Sequence, residues 1–233
     1  MSALPETPSG RRPLKTRQWP VFQKLAAELA RRDVSPNMIS VWSVIFATGA
    51  CLCLIATNHV SHGLLRRGFW LLAAIMIQLR LIANLLDGMV AIEGGKKSAV
   101  GDLYNEVPDR ISDPAILIGA GFAFGGCPLL GMGAATVSVF VAYVRAIGAS
   151  TGVGQVFLGP FAKQQRMALM TIVCVAGMVL PARLQILHDE NAFGITAAAL
   201  GVIVPGGIVT AIRRLLKIAD LMKARLGTTD ASV

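Results

Sequence analysis

Two stretches of the chain place oxygen-bearing side chains at helical spacing: Asn84-Leu-Leu-Asp87-Gly88-Met-Val-Ala91 and Gly101-Asp-Leu-Tyr-Asn105-Glu-Val-Pro-Asp109-Arg110. On a helix, Asn84, Asp87, Gly88 and Ala91 stand at i, i+3, i+4 and i+7 and share one face. Asn105 and Asp109, four apart, share another. Carboxylates with amide oxygens suit a hard divalent cation, Mg2+ or Mn2+, whose other ligands would be the phosphate oxygens of a substrate. Gly88 and Ala91 leave room beside such an ion. The plainer reading of the same two residues is close helix packing in lipid.

The elements that must position these groups read as membrane spans. Residues 1–17 are polar and aperiodic and are expected to form a mobile arm. Within 18–33, Val21, Phe22, Leu25, Ala26 and Leu29 recur at helical spacing while Lys24, Arg31 and Arg32 fall elsewhere, the pattern of an amphipathic helix in the membrane interface. Ser35-Pro36-Asn37 breaks that helix, and apolar runs then predict about six crossings: 38–57, 69–92, 101–124, 129–147, 166–179 and 193–212. The second run holds Gln78, Arg80, Asn84 and Asp87, polar residues that need partners or a task at that depth. If the second and third spans pack as a hairpin about the Glu93 to Ser98 turn, the two oxygen-bearing faces converge near one surface. The fold class expected is therefore an all-α membrane protein, with a transmembrane domain over 34–220 and a cytoplasmic tail over 221–233.

Composition agrees. Of 233 residues 54% are hydrophobic and 15% charged, a balance unsuited to a soluble domain. The net charge of +9 comes with no soluble basic domain or aromatic-basic surface, so no nucleic-acid partner is expected. Lysines and arginines concentrate in the first 37 residues, the 93–100 turn, the 145–166 loop and the C-terminus. The positive-inside rule then puts both termini in the cytoplasm of what would be a bacterial inner membrane, with anionic membrane lipids as partners. No short basic segment leads directly into an apolar core at the N-terminus, so no cleavable signal peptide is expected. Cys51, Cys53, Cys127 and Cys174 lack metal-ligand spacing and read as small buried hydrophobes. His59 and His62 read as a solvated loop, and Lys96 and Lys97 as headgroup-facing charges.

The spacing of the two stretches resembles the signature of the CDP-alcohol phosphotransferase family, D-x2-D-G-x2-A-R-x8-G-x3-D-x3-D, which carries two metal ions and the catalytic base. Asp87, Gly88, Ala91, Gly101 and Asp109 fall on their family positions with the x8 spacing intact. Val34-Ser-Pro-Asn-Met-Ile-Ser40 ahead of the first span extends the likeness, as do the interfacial helix and the six spans. Asn84 and Asn105 stand where the family has Asp, and Ile92 where it has Arg. Two negative charges are gone, which weakens or removes one ion of a two-metal site; Glu93, Asp102, Glu106 and Asp113 are candidates to compensate.

The resemblance implies a transferase of phospholipid synthesis. A polar alcohol would attack the phosphorus that carries the lipid in a CDP-activated lipid such as CDP-diacylglycerol, and CMP would leave. Asp109, matching the family's last Asp, would be the base. Asp87, Asp109, Asn84 and Asn105 would hold the metal, and Gly88, Ala91 and Gly101 would border the substrate. Arg145, Lys163 and Arg166 flank a Gly-rich loop and have two readings, a phosphate clamp or positive-inside anchors, with the family's acceptor-phosphate region favouring the clamp for Lys163 and Arg166. Arg110 would bind phosphate or balance Asp87 and Asp109. The alternative from the binding class is a catalytically silent relative that holds the nucleotide lipid. Family resemblance and small-residue faces also lead to the expectation of a homodimer.

Overall fold

The computed structural model describes residues 19–93, 101–188 and 193–230, excluding the side chains of 93, 102, 105 and 226–230. The Glu93 to Ser98 turn thus lies mostly outside the described residues, and the arm at 1–17 lies wholly outside them. The chain is helical almost throughout. α1 (Pro20–Arg31) begins with proline in its first turn, where the missing N–H costs nothing, and Trp19 stacks on Phe22 with ring centroids 6.1 Å apart. Its apolar face, Phe22, Ala26 and Leu29, packs with Leu85, Leu86 and Met89. Its outer face carries Glu28 between Arg31 and Arg32. Hydrogen bonds from Arg32 and then Arg31 hold the Glu28 carboxyl below the usual carboxylate range.

α2 (Pro36–His59) again opens on proline and is capped by Ser35, whose Oγ accepts from Met38 N at 3.2 Å. α3 (Gly63–Glu93), α4 (Gly101–Gly121), α5 (Pro128–Ser150), α6 (Lys163–Val179), the single turn α7 (Ala182–Gln185) and α8 (Ile195–Asp230) follow. Between α7 and α8, two short strands, β1 (Ile186–His188) and β2 (Phe193–Gly194), pair antiparallel. Among the described residues, four helical stretches are long and apolar enough to cross a membrane: 36–59, 63–92, 128–150 and 195–225. α4 carries Asp109, Arg110 and Asp113, and α6 has only 17 residues. Large apolar side chains such as Leu52, Leu129, Ile172 and Leu216 point outward, as an integral membrane protein's must.

Three expectations change. α3 and α4 are not a packed hairpin: α2 packs extensively against both, and α3 and α4 meet only sparsely. Gly119 of α4 makes this possible, because a Cβ there would lie 2.7 Å from the Cys51 Cα of α2. α3 starts at Gly63, ahead of the 69–92 crossing expected, and so includes Arg66, whose Nε and Nη2 donate to Val60 O at 3.1 and 2.7 Å. α8 runs on to Asp230, so most of the expected tail at 221–233 is helical. The main core joins Leu54, Trp70, Ile77, Ile116, Leu117, Met167, Met170, Leu200 and Ile203.

Candidate active site

The C-terminal part of α3 and the N-terminal parts of α2, α4 and α6 lie at the same end of the bundle, and polar side chains from all four helices meet there. α3 contributes Arg80, Asn84 and Asp87 at i, i+4 and i+7, one face of the helix. α4 contributes Asp109 and Asp113, four apart. α6 contributes Lys163, its first residue, and Arg166 one turn on.

Asp109 is the hub. Lys163 Nζ donates to Asp109 Oδ1 at 2.6 Å and lies 2.5 Å from Oδ2, and it also donates to Asn84 Oδ1 at 2.5 Å. Asn84 Nδ2 donates to Asp109 Oδ1 at 3.0 Å. Arg80 Nη2 sits 2.9 Å from Asp109 Oδ1 and 2.7 Å from Asp113 Oδ1, which ties the two carboxylates together from below. The Arg80 side chain is 0% exposed, so its charge is held entirely by these partners. Arg166 Nη2 donates to Asp113 Oδ2 at 2.9 Å and Nη1 to Phe161 O at 2.8 Å. The network is deep at Arg80, Asp113 and Arg166 and opens toward Lys163, whose side chain is 25% exposed.

Asp87 stands apart from this network. Its Oδ2 accepts from Ser40 Oγ of α2 at 2.7 Å and its Oδ1 from Gly88 N at 2.5 Å, and the residue is buried. Among the described residues it forms no ion pair, so its charge is left for a ligand from outside. Gly88 lies beside it, and Ala91 stands one turn further along α3. Gly101 is the first residue of α4. The Asn105 side chain lies outside the described residues, as do those of Glu93 and Asp102, and with them Lys96 and Lys97.

The basic residues expected as a phosphate clamp divide. Lys163 is in the hub and Arg166 behind it on Asp113. Arg145 is instead drawn to Glu106, with its Nη2 2.7 and 2.8 Å from the two carboxylate oxygens, and Arg110 pairs with the same Glu106. These two arginines form a half-exposed neighbouring cluster. The sequence reading gave Arg80 and Ser40 no site role of their own, and named Asp113 only among the carboxylates that could compensate for the two missing charges. Helical spacing contained the signal for two of them, since Arg80 lies four before Asn84 and Asp113 four after Asp109.

The donor set fits one divalent cation better than two. Asp87 is a buried carboxylate that forms no direct ion pair among the described residues, a fit for one hard ion. Asp109 has both oxygens engaged by cationic donors, and a second dication there would sit against Lys163 and Arg80. Like unit charges about 4 Å apart repel by about 4 kcal/mol at an effective dielectric near 20, and more for a double charge. Among the described residues, no three His, Cys, Asp or Glu side chains gather as a metal cage would.

No family model matches the chain. A sequence relative, the phosphatidylinositol phosphate synthase of Streptomyces avermitilis, is 28% identical, with 85% of this chain and 78% of the relative covered. The fold is shared with the Mycobacterium tuberculosis phosphatidylinositol phosphate synthase. Its structure with CDP-DAG bound gives a TM-score of 0.64 at 16% identity over 85% of this chain and 93% of that one. Its complex with manganese and citrate gives 0.65 at 16% identity over 84% and 88%. In sequence this integral membrane protein is similar to a phosphatidylinositol phosphate synthase, a CDP-alcohol phosphotransferase, and it shares the fold of the Mycobacterium enzyme.

Proposed function

We propose that the protein is a phosphatidyltransferase that moves a phosphatidyl group from a CDP-activated lipid, CDP-diacylglycerol, to a polar alcohol and releases CMP. The observation that carries this reading is the meeting of Asn84 and Asp109, which stand at positions of the family signature, with Lys163, at the end of the bundle that also holds Asp87. The names of the sequence relative and the fold neighbours support it, and they put inositol phosphate first among candidate acceptors, ahead of glycerol phosphate, serine and simpler alcohols.

In this reading the alcohol oxygen attacks the lipid-bearing phosphorus, the P–O bond to CMP breaks, and the hydroxyl proton passes to an Asp109 carboxylate oxygen. Lys163, Arg80 and Asn84 fix where that carboxylate points. Asp87, steered by Ser40, would hold Mg2+ or Mn2+ with help from Asn105. When bound, the ion supplies charge neutralisation for the pyrophosphate and the departing CMP. Arg145 and Arg110, gathered on Glu106, offer an anion-binding patch for the acceptor's phosphate.

The same reading keeps α4 and α6 as the third and fifth of six crossings, with Asp109, Asp113 and their partners satisfied inside the bundle. α1 lies in the interface, residues 34–220 form the transferase domain, both termini are cytoplasmic, and the protein works as a homodimer in a bacterial inner membrane. The silent-relative reading draws on Asn84, Asn105 and Ile92, but relatives named as synthases do not favour it. The experiment is Mg2+- or Mn2+-dependent CMP release from CDP-diacylglycerol across a panel of alcohols, with Asp87→Ala and Asp109→Ala as controls. Release that is lost in both variants supports transfer. Purified protein that binds CDP-diacylglycerol yet releases no CMP with any acceptor sinks it in favour of the silent relative.

A further inference from the structure

We infer that the Lys163 ammonium is a resident cation of the site: it fills, on Asp109 and Asn84, the place of one divalent ion, and the chain therefore binds a single divalent ion, at Asp87. The inference deepens the transferase reading and rests on it for its purpose, but ion occupancy is measurable without turnover.

Three oxygens from two helices converge on one nitrogen. Lys163 Nζ lies 2.5 Å from Asn84 Oδ1, 2.6 Å from Asp109 Oδ1 and 2.5 Å from Asp109 Oδ2. An ammonium has three N–H donors and no acceptor, so these oxygens complete its demand. It draws α3 and α4 together through their oxygens, as a bridging metal ion would, but with one charge instead of two.

Asn84 is matched to that arrangement and not to a metal pair. Its amide faces both ways: the oxygen accepts from Lys163, and Nδ2 donates to Asp109 Oδ1 at 3.0 Å. An aspartate at 84 has no donor for Asp109 and would set a second negative charge beside it, which one ammonium cannot neutralise. The amide lowers the negative charge of the hub to what a single lysine balances.

The charges behind the hub oppose a second metal ion. Arg80, Lys163 and Arg166 bring three positive charges to the two negative charges of Asp109 and Asp113, and the Arg80 and Arg166 side chains are 0% and 4% exposed. This surplus is fixed in place by the fold. Asp87 makes no ion pair among the described residues. It is therefore the one carboxylate of the constellation with charge to offer an ion.

The test is Mn2+ binding to the full-length protein in detergent, followed by equilibrium titration and electron paramagnetic resonance with no lipid nucleotide present. The expected result is one Mn2+ per chain with the spectrum of an isolated ion, lost in Asp87→Ala. Wild-type protein that binds two Mn2+ with a spin-coupled spectrum overturns the inference, and so does wild-type protein that binds none. The reverse experiment combines Lys163→Met, Asn84→Asp and Asn105→Asp, which removes the resident cation and restores two carboxylates. A second Mn2+ coupled to the first is expected, at the roughly 4 Å separation of two-metal sites. A folded triple variant that still binds one ion overturns the proposal; should this variant not fold, the wild-type stoichiometry decides alone. A single bound Mn2+ in protein that makes no CMP would remove the transferase reading and leave this inference standing.

Discussion

Asn84 Nδ2 donates to Asp109 Oδ1 across 3.0 Å and, beside the Arg80 ion pairs to Asp109 and Asp113, joins α3 to α4, two helices that pack only sparsely. Replacing the donor by an acceptor tests what that contact is worth. Asn84→Asp removes the hydrogen bond and places like charges about 3 Å apart, so the metal-free protein should lose about 1–3 kcal/mol, the usual cost of an unmet buried polar group. Added Mn2+ should raise the melting temperature of the variant by more than it raises that of the wild type. An unchanged melting temperature without metal would mean that the amide direction is immaterial.

Asp113 anchors the deep side of the network. Arg80 and Arg166 both reach it, at 2.7 and 2.9 Å, and the Asp113 side chain is only 7% exposed. Asp113→Asn leaves buried guanidinium charge without its counter-charge, and breaking such a pair costs about 3–5 kcal/mol. Thermal unfolding in detergent should show that loss. CMP release per folded molecule should fall far less than in Asp109→Ala, because Asp113 touches the network from behind instead of the reacting groups.

Chelation provides a third check. With Asp87 as the carboxylate left for an ion, excess EDTA should stop CMP release completely, and either Mg2+ or Mn2+ should restore it, since both take oxygen ligands. Release that persists after exhaustive chelation would place the electrostatic work on Lys163 and the arginines alone.

Gly119 is the predicted weak point of the scaffold. A Cβ at this position would lie 2.7 Å from the Cys51 Cα and 2.9 Å from its carbonyl oxygen, backbone atoms that cannot swing aside. Gly119→Ala should push α4 away from α2 and cost about 1–3 kcal/mol, the range for overpacking a close contact. Gly63→Ala, with open space around the new methyl, is the control and should leave the melting temperature unchanged.

What the sequence disclosed follows from what each signal measures. Asn84, Asp87 and Asp109 were legible because helical spacing is local, and the structure does bring Asn84 and Asp109 together. The wedge of α2 between α3 and α4 was not, because it depends on a close approach at Gly119 that no periodicity encodes. Hydropathy sets a span's length, not a helix's: the apolar run of α8 weakens after Ile212, yet Leu, Lys, Ala, Met and Arg sustain the helix well past it, to about Arg225. The beginning of α3 failed for the same reason, since Gly63, Arg66, Arg67 and Gly68 look like a loop to a hydropathy reading. Lys163 could be placed near a phosphate by its surroundings in sequence, but its position between Asn84 and Asp109 is a relation among three helices. Arg145 lies apart from it, paired with Glu106, three residues before Asp109.

Ser40 supplies the last prediction. It lies in the second turn of α2, at the end of the Val34 to Ser40 segment, and its hydroxyl donates to Asp87 Oδ2 at 2.7 Å. That hydrogen bond fixes the carboxylate's rotation and leaves Oδ1, held by Gly88 N, turned along the helix. Groups that orient a metal ligand without touching the ion are worth about 10–100-fold in metal affinity. Ser40→Ala should therefore weaken Mn2+ binding by at least about tenfold. CMP release at saturating metal should recover most of its wild-type rate, because the base and its partners on α3, α4 and α6 are untouched. Ser40→Thr, which keeps the hydroxyl, should bind Mn2+ nearly as the wild type does. Equal Mn2+ affinity in Ser40→Ala and the wild type would show that the ion is not held through Asp87, and would move the search for its ligands to Asp109 and Asn105.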